Sequence, residues 1–145
     1  MSAYDVIVLG VGGMGSAACF ELARRGRRVL GLEQYPLVHA RGSSHGHTRI
    51  IRTAYYEHPD YVPLVRRAFD RWYELEQLTG RHLLTESACL NVGPDGGELV
   101  AGMRASTTQH HLPVGELSAS EIAARFPFRF PDNYVGVLEQ NAGFL

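Results

Sequence analysis

The chain has 145 residues, 45% of them hydrophobic and 20% charged, with a formal net charge of −1. That length and composition suit a globular domain with a real core, and the near-neutral charge argues against a nucleic-acid or acidic-membrane surface. Two cysteines far apart, Cys19 and Cys89, make neither a CxxC pair nor a metal spacing, so a reducing cytoplasmic compartment is expected and no metal site. No apolar run reaches the roughly 18 residues of a membrane helix, and the first apolar stretch lacks the basic lead-in and length of a signal peptide.

In chain order, Val6-Ile-Val-Leu9 reads as a buried parallel strand. A glycine-rich turn follows from Gly10 to Gly15. Residues 14–25 then form a helix, with Met14, Ala17, Ala18, Phe20 and Leu22 facing inward and Arg24 and Arg25 suiting its C-terminal dipole. Gly26 ends it. A second strand runs from Val29 to Leu32 and stops at Glu33.

Residues 35–48 are rich in Gly, Ser, His and Pro and read as loop. Asp60 is placed to cap a helix reaching Thr79, with Pro63 in its first turn and Gly80 after its end. Its apolar stripe is Leu64, Val65, Ala68, Phe69, Trp72, Leu75 and Leu78. A strand is expected over 83–92, a poorly patterned helix over 97–110 and a last strand over 134–138. Ser118-x-x-Glu121 fits a capping box for a short helix that ends before Pro127. His110-His111 reads as surface, and Phe126-Pro-Phe-Arg-Phe130 as a packed loop.

Gly10-Val-Gly-Gly-Met-Gly15 matches G-x-G-x-x-G, a weak pattern alone. Here it follows a strand, opens a helix and precedes an acid, Glu33, by 18 residues, which is the context of a dinucleotide site. Gly10 allows the tight turn, Gly12 the close approach of backbone to pyrophosphate, and Gly15 the close packing of helix on strand. The helix start attracts the anion. Glu33 is fitted to accept from the ribose hydroxyls and to disfavour a 2′-phosphate.

The second informative stretch is Arg41-Gly-Ser-Ser-His-Gly-His-Thr-Arg-Ile-Ile-Arg52. Its small residues let backbone come close to a ligand. His45 and His47 carry proton-active groups near neutral pH. Arg49 and Arg52 bracket two isoleucines, a setting that holds a carboxylate or phosphate in a partly dry site. A solvated loop with surface charges remains equally open on composition.

The strand–turn–helix start, Gly42-Ser-Ser-His-Gly-x-Thr-Arg-Ile-Ile-Arg52, Ala54-Tyr55, Tyr61-Val-Pro-Leu64, Trp72-x-Glu-Leu75, Asn133-Tyr134 and Asn141-x-Gly-x-Leu145 resemble the family of monomeric sarcosine oxidase, N-methyltryptophan oxidase and pipecolate oxidase. The resemblance implies FAD, with Gly10, Gly12, Gly13, Met14, Gly15 and Glu33 on its ADP part and Ser43, Ser44 and Thr48 along the pyrophosphate and flavin. It implies His45 and Arg49 as catalytic groups against the flavin ring. Arg52 and Tyr55 would be the substrate-binding residues, Arg52 pairing with an amino-acid carboxylate. His47 departs from the family pattern.

The implied reaction is oxidation of a secondary or cyclic amino acid by FAD and oxygen, giving imine and hydrogen peroxide. The family's flavin-linking cysteine, oxygen-activating lysine and second carboxylate-binding lysine lie further downstream. Neither Cys19 nor Cys89 stands in for that cysteine, and both read as packing residues. The expected architecture is therefore α/β: a Rossmann-like FAD-binding βαβ unit with its flavin-contacting segment over 1–55, then the start of a mixed α+β substrate domain over 56–145. The remainder of the enzyme is expected to be absent and the chain alone inactive. An NAD-dependent dehydrogenase domain and a non-catalytic dinucleotide-binding fragment stay open beside this reading.

Overall fold

The computed structural model describes residues 3–145. The chain divides into two compact units, one ending at Arg49 and the other running from Ile50 to Leu145.

In the first unit, β1 (Val6–Leu9) pairs in parallel with β2 (Val29–Leu32), and α1 (Gly13–Arg24) makes the crossover between them. Val6 aligns with Val29 and Leu9 with Leu32. The sequence placed these three elements to within a residue, but it mistook the inner face of α1 and the burial of β1, whose Ile7 and Leu9 are 57% and 81% exposed. Met14 is 88% exposed and Phe20, Ala17 and Ala18 are exposed as well. The face turned to the strands carries Gly15, Cys19 and Leu22, one turn apart, because Gly15 and Gly31 let the helix axis come close there. A Cβ on Gly15 would overlap the Gly10 carbonyl oxygen, and one on Gly31 would stand 3.3 Å from the Cys19 sulfur. Gly26, at φ +72°, follows the helix and donates to the Ala23 carbonyl at 2.9 Å.

The second unit is built on β6 (Tyr134–Phe144), the longest strand. β4 (Thr85–Pro94) pairs antiparallel along one side of it, from Thr85 opposite Phe144 to Pro94 opposite Tyr134. The other side is shared by two short strands in tandem. β5 (Val114–Ser118) covers Val135 to Glu139, and β3 (Ile50–Arg52) covers Ala142 to Phe144. Between these footprints the β4 ladder slips: Ser87 opposes Ala142 and Cys89 opposes Glu139, so Gln140 and Asn141 face Ala88 alone. This is a β-bulge on β6. β3 and β5 were not expected, and β6 runs six residues past the expected Leu138, because Gln140 and Asn141 interrupt its apolar pattern at the bulge.

Alternation along β6 sends Val137 and Leu138 to opposite faces. Val137 joins Ala54, Val62, Val100, Met103 and Leu112, fed by α2 (Tyr61–Thr79) and α3 (Glu98–His110). Leu138 joins Leu117 and Ile122 of α4 (Ala119–Arg125), with Leu90, Phe126 and Phe130 against them. α3, expected to be poorly patterned, buries Val100, Met103 and Ser106 on one stripe. α4 begins with the expected capping box, the Ser118 hydroxyl accepting from the Glu121 amide while the Glu121 carboxylate accepts from the Ser118 amide.

Three expectations about this unit fail. Asp60 sits at the α2 N-cap but makes no side-chain cap; the carbonyls of His58 and Pro59 accept from Tyr61 and Val62 instead. Leu64 and Leu78 of the α2 stripe are 65% and 63% exposed and Val62, which was not in it, is buried, while Val65 is buried as expected and Ala68, Phe69, Trp72 and Leu75 are half-buried. His110 is half-buried rather than on the surface, its Nε2 shut off from solvent. Gly80 ends α2 in the left-handed region as expected, at φ 65°. Phe126 and Phe130 pack as expected, while Phe128 is 51% exposed.

Candidate dinucleotide site and carboxylate contact

In the first unit the glycine turn is closed from both ends by backbone. Gly10, at φ +86°, donates to the Leu32 carbonyl at 2.7 Å, tying the turn to the end of β2. Gly12 is the N-cap of α1, which has no side-chain cap and no acid in its first turn. Nothing lies within 4 Å of where a Cβ on Gly10 or Gly12 would stand, whereas the Gly15 position is filled by backbone. The open space falls where a pyrophosphate would approach, and the tight spot falls where helix and strand must touch.

Glu33 crosses to this turn. One carboxylate oxygen accepts from the Val11 amide at 2.8 Å, the other from the Tyr35 amide at 3.1 Å, and His39 Nε2 stands 3.5 Å from the latter. The Val11 amide, helped by that of Tyr35, holds the carboxyl below its ordinary range, so it stays an acceptor. Glu33 lies in a depression lined also by Leu9, Gly10, Gly12, Tyr35, His39 and Arg41. The rim is aromatic and cationic: the Arg41 guanidinium lies 4.7 Å from the Tyr35 ring centre, and His39 meets Tyr35 edge-on at 5.1 Å. His39, Tyr35 and Arg41 were not singled out from the sequence, because nothing in their spacing announces a shared wall.

The segment 42–49 has no regular structure, and all its residues but Arg49 are exposed. Ser44 is brought to the start of α1: a Cβ on Gly13 would stand 2.5 Å from its hydroxyl oxygen. The His45 amide donates to the Gly42 carbonyl at 3.0 Å, closing a turn. Arg49 folds back over Gly46, donating to the Thr48 carbonyl at 2.6 Å and the Ser43 carbonyl at 3.5 Å. Ser43 and Thr48 thus meet Arg49 through their backbone oxygens. The structure gathers Gly10, Gly12, Gly13, Met14, Gly15, Glu33 and Ser44 around the start of α1.

Arg52 and Tyr55 belong to the second unit and do come together. The Arg52 guanidinium lies 5.0 Å from the Tyr55 ring centre and 5.4 Å from that of Tyr56. It reaches Glu57 at 3.2 Å and Asn91 at 3.4 Å. Tyr55 stacks on Tyr61 at 5.3 Å. Tyr56, Glu57, Asn91 and the buried Glu139 behind them escaped sequence reasoning; the one available signal was an acid inside the apolar run of β6. Both cysteines are free and half-buried. Burial, followed by the Glu139 carboxylate, pushes the Cys89 thiol up and away from reactivity. Among the described residues no group of His, Cys, Asp or Glu side chains is set to hold a metal, and no helix is long and apolar enough to cross a membrane.

These features have counterparts in known proteins. Over 143 residues the chain is 50% identical to monomeric sarcosine oxidase of Streptomyces avermitilis, covering 98% of this chain and 37% of that protein. It is 41% identical to N-methyl-L-tryptophan oxidase of Yersinia pestis, covering 98% of this chain and 38% of that one. The chain therefore spans little more than a third of the length of the curated relatives it matches. Among solved structures, the open form of NikD, an unusual amino acid oxidase essential for nikkomycin biosynthesis, superposes with a TM-score of 0.78 at 30% identity, covering all of this chain and 38% of NikD. L-proline dehydrogenase from P. horikoshii shares the fold, with a TM-score of 0.74 at 18% identity over 99% of this chain and 38% of its own. The model of the FAD dependent oxidoreductase family matches residues 5–145, which takes in the glycine turn, Glu33, Arg52 and the whole of β6, and the chain belongs to that family.

Proposed function

We propose that the chain holds FAD and contributes to the oxidation of secondary or cyclic amino acids of the sarcosine type, with imine and hydrogen peroxide as products and oxygen as the acceptor. The observation that carries the cofactor assignment is Glu33, an ionised acceptor held at the end of β2 by the Val11 amide, beside an uncapped helix start. In this reading Gly10, Gly12, Gly13, Met14 and Gly15 present backbone to the pyrophosphate, and Glu33 accepts from the ribose hydroxyls. Ser43, Ser44 and Thr48 continue along the pyrophosphate toward the flavin. Bound FAD supplies the two-electron oxidant for the carbon–nitrogen bond. His45 and Arg49 stand against the flavin ring, where the fixed positive charge of Arg49 favours a ring that gains electrons. Arg52, flanked by Tyr55, takes the substrate carboxylate. In this reading residues 1–55 carry the cofactor-contacting segment together with Arg52 and Tyr55, and residues 56–145 begin the substrate domain. A cytoplasmic setting is part of the reading, in keeping with two free thiols.

Two titrations test it. Flavin fluorescence followed during titration of the protein with FAD and with FMN should show FAD binding at least about tenfold tighter, the loss of one charge-assisted contact being worth that much. Equal affinities would remove the ADP site. Calorimetric titration with acetate, the simplest carboxylate, should lose its heat in Arg52→Ala and keep it in Arg49→Ala. The opposite pattern would invert the two roles.

A further inference from the structure

Glu139 is 1% exposed, and nothing in the proposed chemistry uses it. It stands at the notch in the second unit where β5 stops pairing with β6 and β3 has yet to begin, beside the bulge at Gln140 and Asn141. One carboxylate oxygen accepts from the amides of Thr53 at 2.7 Å and Ala54 at 2.8 Å, just past the end of β3. The other oxygen accepts from the Asn91 side-chain amide at 3.3 Å. The Asn91 carbonyl in turn accepts from the Arg52 guanidinium at 3.4 Å.

The chemistry of this chain is directional. A carboxylate only accepts, so Asn91 must turn its NH2 toward Glu139, and its carbonyl is then the end left for Arg52, which only donates. The negative charge of Glu139 is thereby read by Arg52 through the orientation of one amide. The geometry points to Glu139 and Asn91 as positioning residues that fix Nη1 of Arg52, the proposed contact for the substrate carboxylate, while its Nη2 reaches the exposed Glu57, the group an incoming carboxylate would displace. The assignment rests on the Arg52 reading above, since without it the relay orients an arginine that serves no ligand.

Glu139→Gln separates this role from simple packing. The two backbone amides keep the Gln oxygen where the carboxylate oxygen was, so the Gln NH2 faces Asn91. Asn91 must then turn its carbonyl toward residue 139 and its NH2 toward Arg52, donor against donor. Adding Asn91→Asp to Glu139→Gln restores an acceptor for both neighbours with the net charge of the original pair. The Arg52 side-chain N–H signal in isotope-labelled NMR, identified by its loss in Arg52→Lys, reports the position of the guanidinium with no ligand present. Expected are a displaced, solvent-averaged signal in Glu139→Gln, recovery in the double variant, and acetate affinity that falls about tenfold and returns in parallel.

An Arg52 signal unmoved by Glu139→Gln, or a double variant no better than the single, overturns the relay. Should Glu139→Gln fail to fold, Asn91→Leu leaves Glu139 its two backbone donors and must still release Arg52; an unchanged signal there is equally fatal. If Arg52→Ala leaves acetate binding intact, the carboxylate reading falls instead, and the NMR comparison still decides the relay.

Discussion

The two compact units present their candidate sites by different means. In the first, recognition rests on backbone: a left-handed Gly10, a Gly12 open to solvent, a Gly15 filled by carbonyl, and the amide of Val11 fixing Glu33. In the second it rests on side chains drawn from β3, β4 and β6, in which Arg52, Asn91 and Glu139 meet only because the strands align in one register. A backbone site is specified by a few adjacent residues and tolerates almost no Cβ. A side-chain site is specified by long-range pairing, and it tolerates substitution wherever donors and acceptors still match.

The sharpest way to break this contrast is at the glycines. Gly15→Val drives a side chain into the Gly10 carbonyl, and FAD binding should become undetectable by fluorescence titration as the turn opens. Gly12→Ala meets nothing in the protein, so the thermal midpoint should hold while FAD affinity drops. A Gly12→Ala protein that binds FAD normally would mean that the open space is not where the pyrophosphate lies.

A middle-sized effect is expected at Glu33, where one side chain serves the backbone site. Glu33→Gln should cost on the order of 1.5–3 kcal/mol of FAD binding, the worth of a hydrogen bond to a charged group, measured by the same titration. The acid limb of stability should change as well. The folded carboxyl lies below the ordinary glutamate value of 4.5, chiefly through the Val11 and Tyr35 amides. Its contribution is therefore present in full above that value and is lost as pH falls through the lower folded one. Glu33→Gln should flatten that part of a pH–stability curve, and an unaltered curve would place the carboxylate in solvent.

The smallest effect belongs to the second unit. Ser118→Ala removes the hydroxyl of the α4 capping box and should cost about 1 kcal/mol in denaturant melts, with FAD binding untouched. Coupled loss of flavin would show that the β5–α4 junction matters to the site beyond its own stability.

Legibility followed the same divide. The βαβ unit could be read because each signal is local: an apolar strand, three glycines and an acid at a fixed offset. The family resemblance on Gly42 to Arg52 was likewise a matter of contiguous letters, and the family match bears it out. β3 escaped because three residues carry no periodicity. β5 escaped because Val114-Gly-Glu-Leu-Ser118 is strand only by leaning on β6. The inner face of α1 was misjudged because the helix packs through Gly15 and Cys19 rather than through its largest side chains. Around Arg52, Tyr55 lay close enough in sequence to be named. Asn91 and Glu139 did not, standing 39 and 87 positions away and meeting it only across the sheet.

The bulge on β6 sets a limit on how this protein can vary in length. Removing either Gln140 or Asn141 would make the β4–β6 ladder regular. The kink that the extra residue puts into β6 would go, and the amides of Thr53 and Ala54 would lose the notch in which Glu139 meets them. The turn at Gly96, by contrast, joins β4 to α3 on the surface with open space around it. Insertions and deletions in natural or engineered versions of this chain should therefore gather at that turn and spare the two residues of the bulge.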